Sequence, residues 1–237
     1  MDCVISRRRC RGRVSGCSTV ERRWRRLMKQ EMIGLGRSIG RRMVLQVYIA
    51  YSVSLSQLLI CTGRGVLIDY ATWAEKKGIT YTTFSTHQVR LTDILEIARE
   101  CNITFQKGDI LFVRVGVTKE WDTVMTDEQK RAYSDNPSPE HAGVEASVDV
   151  LRWLWDTGFA AIASDAISWE VYPPQSPDLF LHEYVLAGWG MPIGELFDLE
   201  ALARTCQELQ RWSFFVTSVP LNMPGGVSSP PNVMAIF

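Results

Sequence analysis

The sequence predicts an α/β domain built on a mixed sheet, and three observations carry that prediction. Short, nearly continuous apolar runs read as buried strands, stretches with apolar residues at helical spacing alternate with them, and the last eighteen residues form a Pro/Gly-rich loop ending in a short strand. The 237 residues are 46% hydrophobic and 10% aromatic, enough to bury a sizeable core.

The elements follow in order from about residue 63. GVLIDY, residues 65–70, reads as a buried strand. In RLTDILEIARECN the positions Leu91, Ile94, Leu95, Ala98 and Cys101 recur at helical spacing, with Thr92 as the expected N-cap and Asp93 favourable in the first turn. KGDILFVRVG, residues 107–116, is a turn and a strand; EASVDVLRWLWDTG repeats the helix pattern through Val148, Leu151, Leu154 and Trp155 until Gly158 ends it. FAAIASD is a further buried strand with Asp165 at its carboxyl end, where α/β proteins place functional groups. YPPQSPD connects to FLHEYVLAGWGMPIGELFDL, then DLEALARTCQEL forms a helix capped by Asp198 and WSFFVTSV a strand. The polar stretch 116–143 is long for a connection and reads as a surface excursion, either a lid or a plain solvated insertion.

The front of the chain has a different texture. Residues 1–44 hold thirteen basic side chains against three acidic ones, a net of +10, which leaves the remainder at −10 although the whole chain is neutral. Met43 to Cys61 is an apolar run interrupted by two glutamines and three serines, marginal in length for a membrane span. Residues 1–62 therefore read as a unit separate from a body at 63–237: a mitochondrial leader, a signal anchor, or a mis-drawn coding start. No aromatic-interleaved basic module accompanies the arginines, so nucleic acid is not expected as a partner. Six cysteines without a C-x-x-C pair suit a reduced, cytoplasmic body, with mitochondrial or membrane-anchored placement through residues 1–61 as the alternative.

Candidate chemistry is sparse. No G-x-S-x-G elbow, P-loop or H-E-x-x-H occurs, and GLGRSIG at 34–40 has its third glycine one place late for a dinucleotide turn. Three histidines remain. His87 and His141 are expected to sit at the surface or to pack. His182 lies among Phe180, Leu181, Val185 and Leu186, with Glu195 beyond a glycine-rich break. Spacing alone favours a packed imidazole and a capping carboxylate over a metal site, since two ligands do not complete one.

Taken together, GRGVLIDY, GDILFVRVG, GFAAIASDA, FLHEYVLAGWGMPIGE and PLNMPGGVSSPPNVMAIF resemble, in order, the cyclase family that includes bacterial kynurenine formamidase, and are similar to its fungal members. The resemblance implies a swivelling β/β/α fold and metal-dependent hydrolysis of a small amide, typically N-formylkynurenine, at a zinc or manganese centre. His182 matches the family's downstream metal histidine and Glu195 its downstream metal glutamate, while Asp165 matches a supporting aspartate that a turn cap explains equally well. The family's main ligand motif, H-x-G-T-H-x-D-x-P, and the catalytic histidine after it lie upstream of the GRGVLIDY-like strand. This sequence has no histidine before His87, so no catalytic residue is assignable. The polypeptide is expected to be inactive and its fold incomplete on the N-terminal side; the alternative is a non-catalytic membrane-anchored or organelle-targeted protein that uses the cyclase-like body only as a scaffold. GVLIDY or a neighbour would then be left as an exposed edge, favouring aggregation or a homo-oligomer. Trp73, Phe105 and Trp189 are candidate pocket residues without an assigned substrate.

Overall fold

The structure is a computed structural model that describes residues 45–46, 48–50, 61–176, 178–219, 228–229 and 232–237. All of them belong to one compact unit, Met43–Phe237. Strand β1 is Leu45–Gln46, β2 Tyr48–Ala50 and β3 Cys61–Asp69, followed by helix α1, Tyr70–Lys77. The next elements are β4 (Gln88–Val89), α2 (Leu91–Glu100), β5 (Ile110–Arg114), α3 (Val117–Thr123), α4 (Asp127–Asp135), β6 (Gly143–Val144), α5 (Val148–Thr157) and β7 (Ala161–Ser164). A π-helix, Glu183–Gly188, precedes β8 (Ile193–Glu195), α6 (Glu200–Leu209), β9 (Ser213–Val219), β10 (Ser228–Ser229) and β11 (Asn232–Ile236).

Among the described residues nine strands form one sheet in the order β1-β11-β9-β3-β5-β7-β8-β2-β10, and β4 pairs with β6 separately. The four central strands, β3, β5, β7 and β8, run parallel, and antiparallel strands flank them on both sides. Parallel strands buried on both faces need apolar residues at every position, and this is what Val66, Leu67 and Ile68 and the run Ile110 to Val113 supply. Alternate residues feed two cores. Ile68, Leu111, Val113 and Ile162 meet Ile94 and Ile97 of α2 and Val150 and Leu154 of α5 on one face. Leu67, Ile110, Phe112 and Ala163 meet Leu202, Ala203 and Cys206 of α6 on the other.

These elements bear on several expectations, and some they correct. GVLIDY is not an edge: β3 pairs with β5 on one side and β9 on the other. Strands at 45–46 and 48–50 join the same sheet, N-terminal of the change in texture at 63, while most of the apolar run 43–61 lies outside the described residues. Among the described residues no helix is long and apolar enough to cross a membrane. In α2 the chain is extended at Arg90, and Asp93 accepts that residue's N–H at 3.3 Å, so Thr92 falls inside the helix instead of capping it. In α5 the buried stripe is Val150, Leu151 and Leu154, leaving Val148 and Trp155 exposed.

The stretch 116–143 is also more structured than its polarity suggests. It carries α3 and α4, and the latter begins with a reciprocal cap between Thr126 and Gln129. Glu120 ties α3 to the loop before β4 by accepting from the Thr82 hydroxyl and from the Thr83 N–H at 2.6 Å and hydroxyl at 2.7 Å.

Candidate metal-ligand site

The carboxyl ends of the parallel strands collect the polar side chains of this fold, as expected for an α/β sheet. Just beyond β7 the chain passes through Asp165 and reaches Glu170; His182 immediately precedes the π-helix, and Glu195 ends β8. The fold brings His182 and Glu195 together, with Nε2 of the imidazole 3.0 Å from Glu195 Oε1. On the other side of the ring, Nδ1 donates to Glu170 Oε1 at 2.6 Å. Glu170 also accepts the backbone N–H of Leu181 at 2.7 Å and that of His182 at 3.0 Å. Burial pulls the imidazole down, but the hydrogen bonds to Glu170 and Glu195 outweigh it and raise His182 to about 10.

Asp165 does different work. It is fully buried, and its two oxygens accept the N–H groups of Val115 at 2.6 Å, Gly116 at 2.7 Å and Val117 at 2.9 Å. Burial pushes its carboxyl up to about 6, against the three donors that favour the anion. It thus holds the turn from β5 into α3, the capping role a strand-end aspartate often takes.

The other two histidines are packed. His87 bonds the Tyr70 hydroxyl at 2.7 Å and stacks on Tyr81, and burial lowers its pKa. His141 lies between the Tyr133 hydroxyl at 3.2 Å and Ser168 Oγ at 2.7 Å, and burial takes it down to about 4. Because Ser168 gives its own proton to Glu170 O at 2.8 Å, His141 must carry its proton on Nε2 and accept from Tyr133 on Nδ1. Trp73 packs against Tyr70, Phe105 against Trp153 and Phe159, and Trp189 against Trp155.

Sequence reasoning missed Glu170. The available signal was a lone carboxylate within the apolar stretch AISWEVY, since a buried charge must be compensated by something.

His182 and Glu195 are donor types found at metal centres, but here each is hydrogen-bonded to the other. Imidazole with carboxylate is a donor pair that zinc and manganese both accept. Among the described residues no three His, Cys, Asp or Glu side chains gather where they could hold an ion, because Glu170 and Glu195 bond opposite nitrogens of one ring.

Comparison with known proteins agrees with the fold. The Cyclase family model matches residues 46–171, more than half of the chain. The chain belongs to the cyclase family. A crystal structure of a novel cyclase superposes with a TM-score of 0.61 at 28% identity, covering 74% of this chain and 53% of the other. Isatin hydrolase A from Ralstonia solanacearum gives 0.52 at 14% identity, covering 73% and 59%. The isatin hydrolase A of Labrenzia aggregata, bound to benzyl benzoate, gives 0.52 at 15%, covering 73% and 60%. At such identities the two hydrolases share the fold, and this chain spans less than two thirds of the length of each of the three. No curated protein matches the sequence.

Proposed function

We propose that this chain carries the downstream half of the metal site of a cyclase-family hydrolase acting on a small amide, with N-formylkynurenine as the substrate that the sequence resemblance favours. The observation that carries the reading is the convergence of His182 Nε2 and Glu195 Oε1 at 3.0 Å, thirteen residues apart in sequence and at the carboxyl edge of the parallel strands. These two residues would hold zinc or manganese, which when bound supplies Lewis acidity and makes water nucleophilic at neutral pH. His182 would give a neutral nitrogen once its Nε2 proton is displaced, Glu195 would give negative charge, and Glu170 would keep accepting the Nδ1–H hydrogen bond. Two protein donors leave at least two tetrahedral positions to water or to another chain, so these 237 residues bind metal weakly and do not turn over amide unaided.

The test is an assay with N-formylkynurenine in the presence of zinc or manganese, on this polypeptide and on a fusion in which a segment bearing H-x-G-T-H-x-D-x-P precedes the body. The expected result is background hydrolysis for the first and metal-dependent turnover for the second. Robust turnover by the 237 residues would overturn the incomplete site, and an inert fusion that binds metal would overturn the amide hydrolase reading.

A further inference from the structure

We propose that helix α4 is a flap latched by Tyr133: it leaves the body and unfolds as one unit, pivoting at residues 124–126 and 136–140, while α3 stays in place and the His141 ring beneath is uncovered. The inference concerns the excursion at 116–143 and stands whatever the His182 group binds.

The first argument is the contrast between the two helices of the excursion. The start of α3 is fixed to the sheet, because Asp165 accepts the N–H groups of Val115, Gly116 and Val117. One turn of that helix is tied further: the Thr118 hydroxyl donates to Phe197 O at 3.2 Å, and Glu120 accepts from Thr82 and Thr83. Helix α4, by contrast, has no buried residue. Segments with little buried surface open at a small fraction of the cost of global unfolding.

The second argument is the part played by Tyr133. Its ring meets Phe84 edge-on with centroids 4.7 Å apart and faces Trp121 of α3 at 6.4 Å, and its hydroxyl bonds Nδ1 of His141 at 3.2 Å. Burial pushes the phenol upward, which keeps it a neutral donor to that nitrogen. Lys130, three residues earlier and so on the same helical face, lies 5.5 Å from the Trp121 ring.

The third argument is how the helix is bounded. Val124 and Met125 both donate to Glu120 O at 3.0 Å, which closes α3, and Thr126 is extended with ψ of 163°. At the other end Asn136 is extended with ψ of 122°, and Pro137 and Pro139 follow, so the helix cannot continue. The chain is fixed again at His141, which exchanges both backbone hydrogen bonds with Tyr172 at 2.9 Å and meets Ser168 Oγ at 2.7 Å. Helix α4 is thus an independent piece between two anchored points. Its nine residues are too few to stay helical alone in water, so release from the body means melting. The reciprocal cap between Thr126 and Gln129 favours re-formation on return.

Hydrogen exchange read by mass spectrometry at pH 7 on the full chain tests the flap, together with carbethoxylation of the histidines by diethyl pyrocarbonate. Amides of α4 should exchange faster than those of α3 and α5, at a rate that hardly changes in low urea, whereas α5 follows the steep dependence of global unfolding. A slope in α4 as steep as in α5, or α3 exchanging together with α4, would overturn the proposal. Tyr133→Phe keeps the ring and removes the hydroxyl. It should speed α4 exchange about 3–10-fold, the worth of one hydrogen bond, and raise the modification rate of His141 by the same factor. Tyr133→Ala, which removes the ring as well, should take both rates further in the same direction. Unchanged α4 exchange in these variants would refute the latch, and faster exchange without a matching gain at His141 would refute the uncovering.

Discussion

Replacing Asp165 with alanine should be among the most destabilising single changes in this fold, although the residue lies outside the His182 group. Its carboxylate is fully buried and accepts three backbone N–H groups, those of Val115, Gly116 and Val117, at 2.6 to 2.9 Å. Alanine orphans all three at the point where β5 turns into α3. A buried donor left without a partner costs about 1–3 kcal/mol. Three such donors, less what a water entering the small cavity recovers, give an expected loss of about 4 kcal/mol. Asparagine keeps one acceptor oxygen and should cost roughly half as much. Urea denaturation at pH 7.5, where the carboxyl is ionised, measures both losses against a wild type with the same dependence on denaturant. A loss below about 1 kcal/mol for Asp165→Ala would show that this carboxylate does not hold the turn, and would reopen a place for it in the candidate site.

Three further changes probe other parts of the structure. Burial lowers His141 from its ordinary 6.5 to about 4, so the stability it contributes is complete above 6.5 and is lost as pH falls toward 4. The urea stability gap between wild type and His141→Gln should therefore narrow by about 2 kcal/mol from pH 7 to pH 5, and a gap independent of pH would contradict the buried neutral imidazole. Arg114→Leu strands the buried Asp69, which its guanidinium contacts at 2.6 Å, and frees Glu200, so thermal or urea unfolding should register a loss of about 3–5 kcal/mol. Gly65→Ala would set a Cβ 2.5 Å from Val216 Cγ2 and 2.9 Å from Phe214 Cδ2, costing about 1–3 kcal/mol by overpacking; a neutral midpoint would mean that β9 yields easily.

The central layer of this fold was legible because its strands are buried on both faces and must be written in continuous apolar runs. GVLI, ILFV and AAIA each mark a parallel strand, and helical periodicity located α2, α5 and α6. The three-residue β8 and the two-residue β1, β4, β6 and β10 are too short to carry a period, and they form because a partner strand is already in place. Helix α4 buries none of its residues, so it has no apolar stripe to read, and the polar stretch that holds it reads as a surface excursion. Trp155 and Val148 matched the helical period yet face solvent, since the pattern fixes a spacing but not which neighbours fill the stripe. In the candidate site, the family resemblance singled out His182 and Glu195, whose side chains lie 3.0 Å apart. Glu170 was not: its contacts reach 11 and 12 residues along the chain, through a loop whose geometry depends on Gly143 and a left-handed Trp169.

The most direct test of the site is anomalous scattering at the zinc edge from crystals grown with zinc. The proposed function predicts zinc bound by His182 Nε2 and Glu195, with Glu170 still on Nδ1. A peak at Nδ1 with Glu170 displaced, or zinc bound only elsewhere on the molecule, would contradict it.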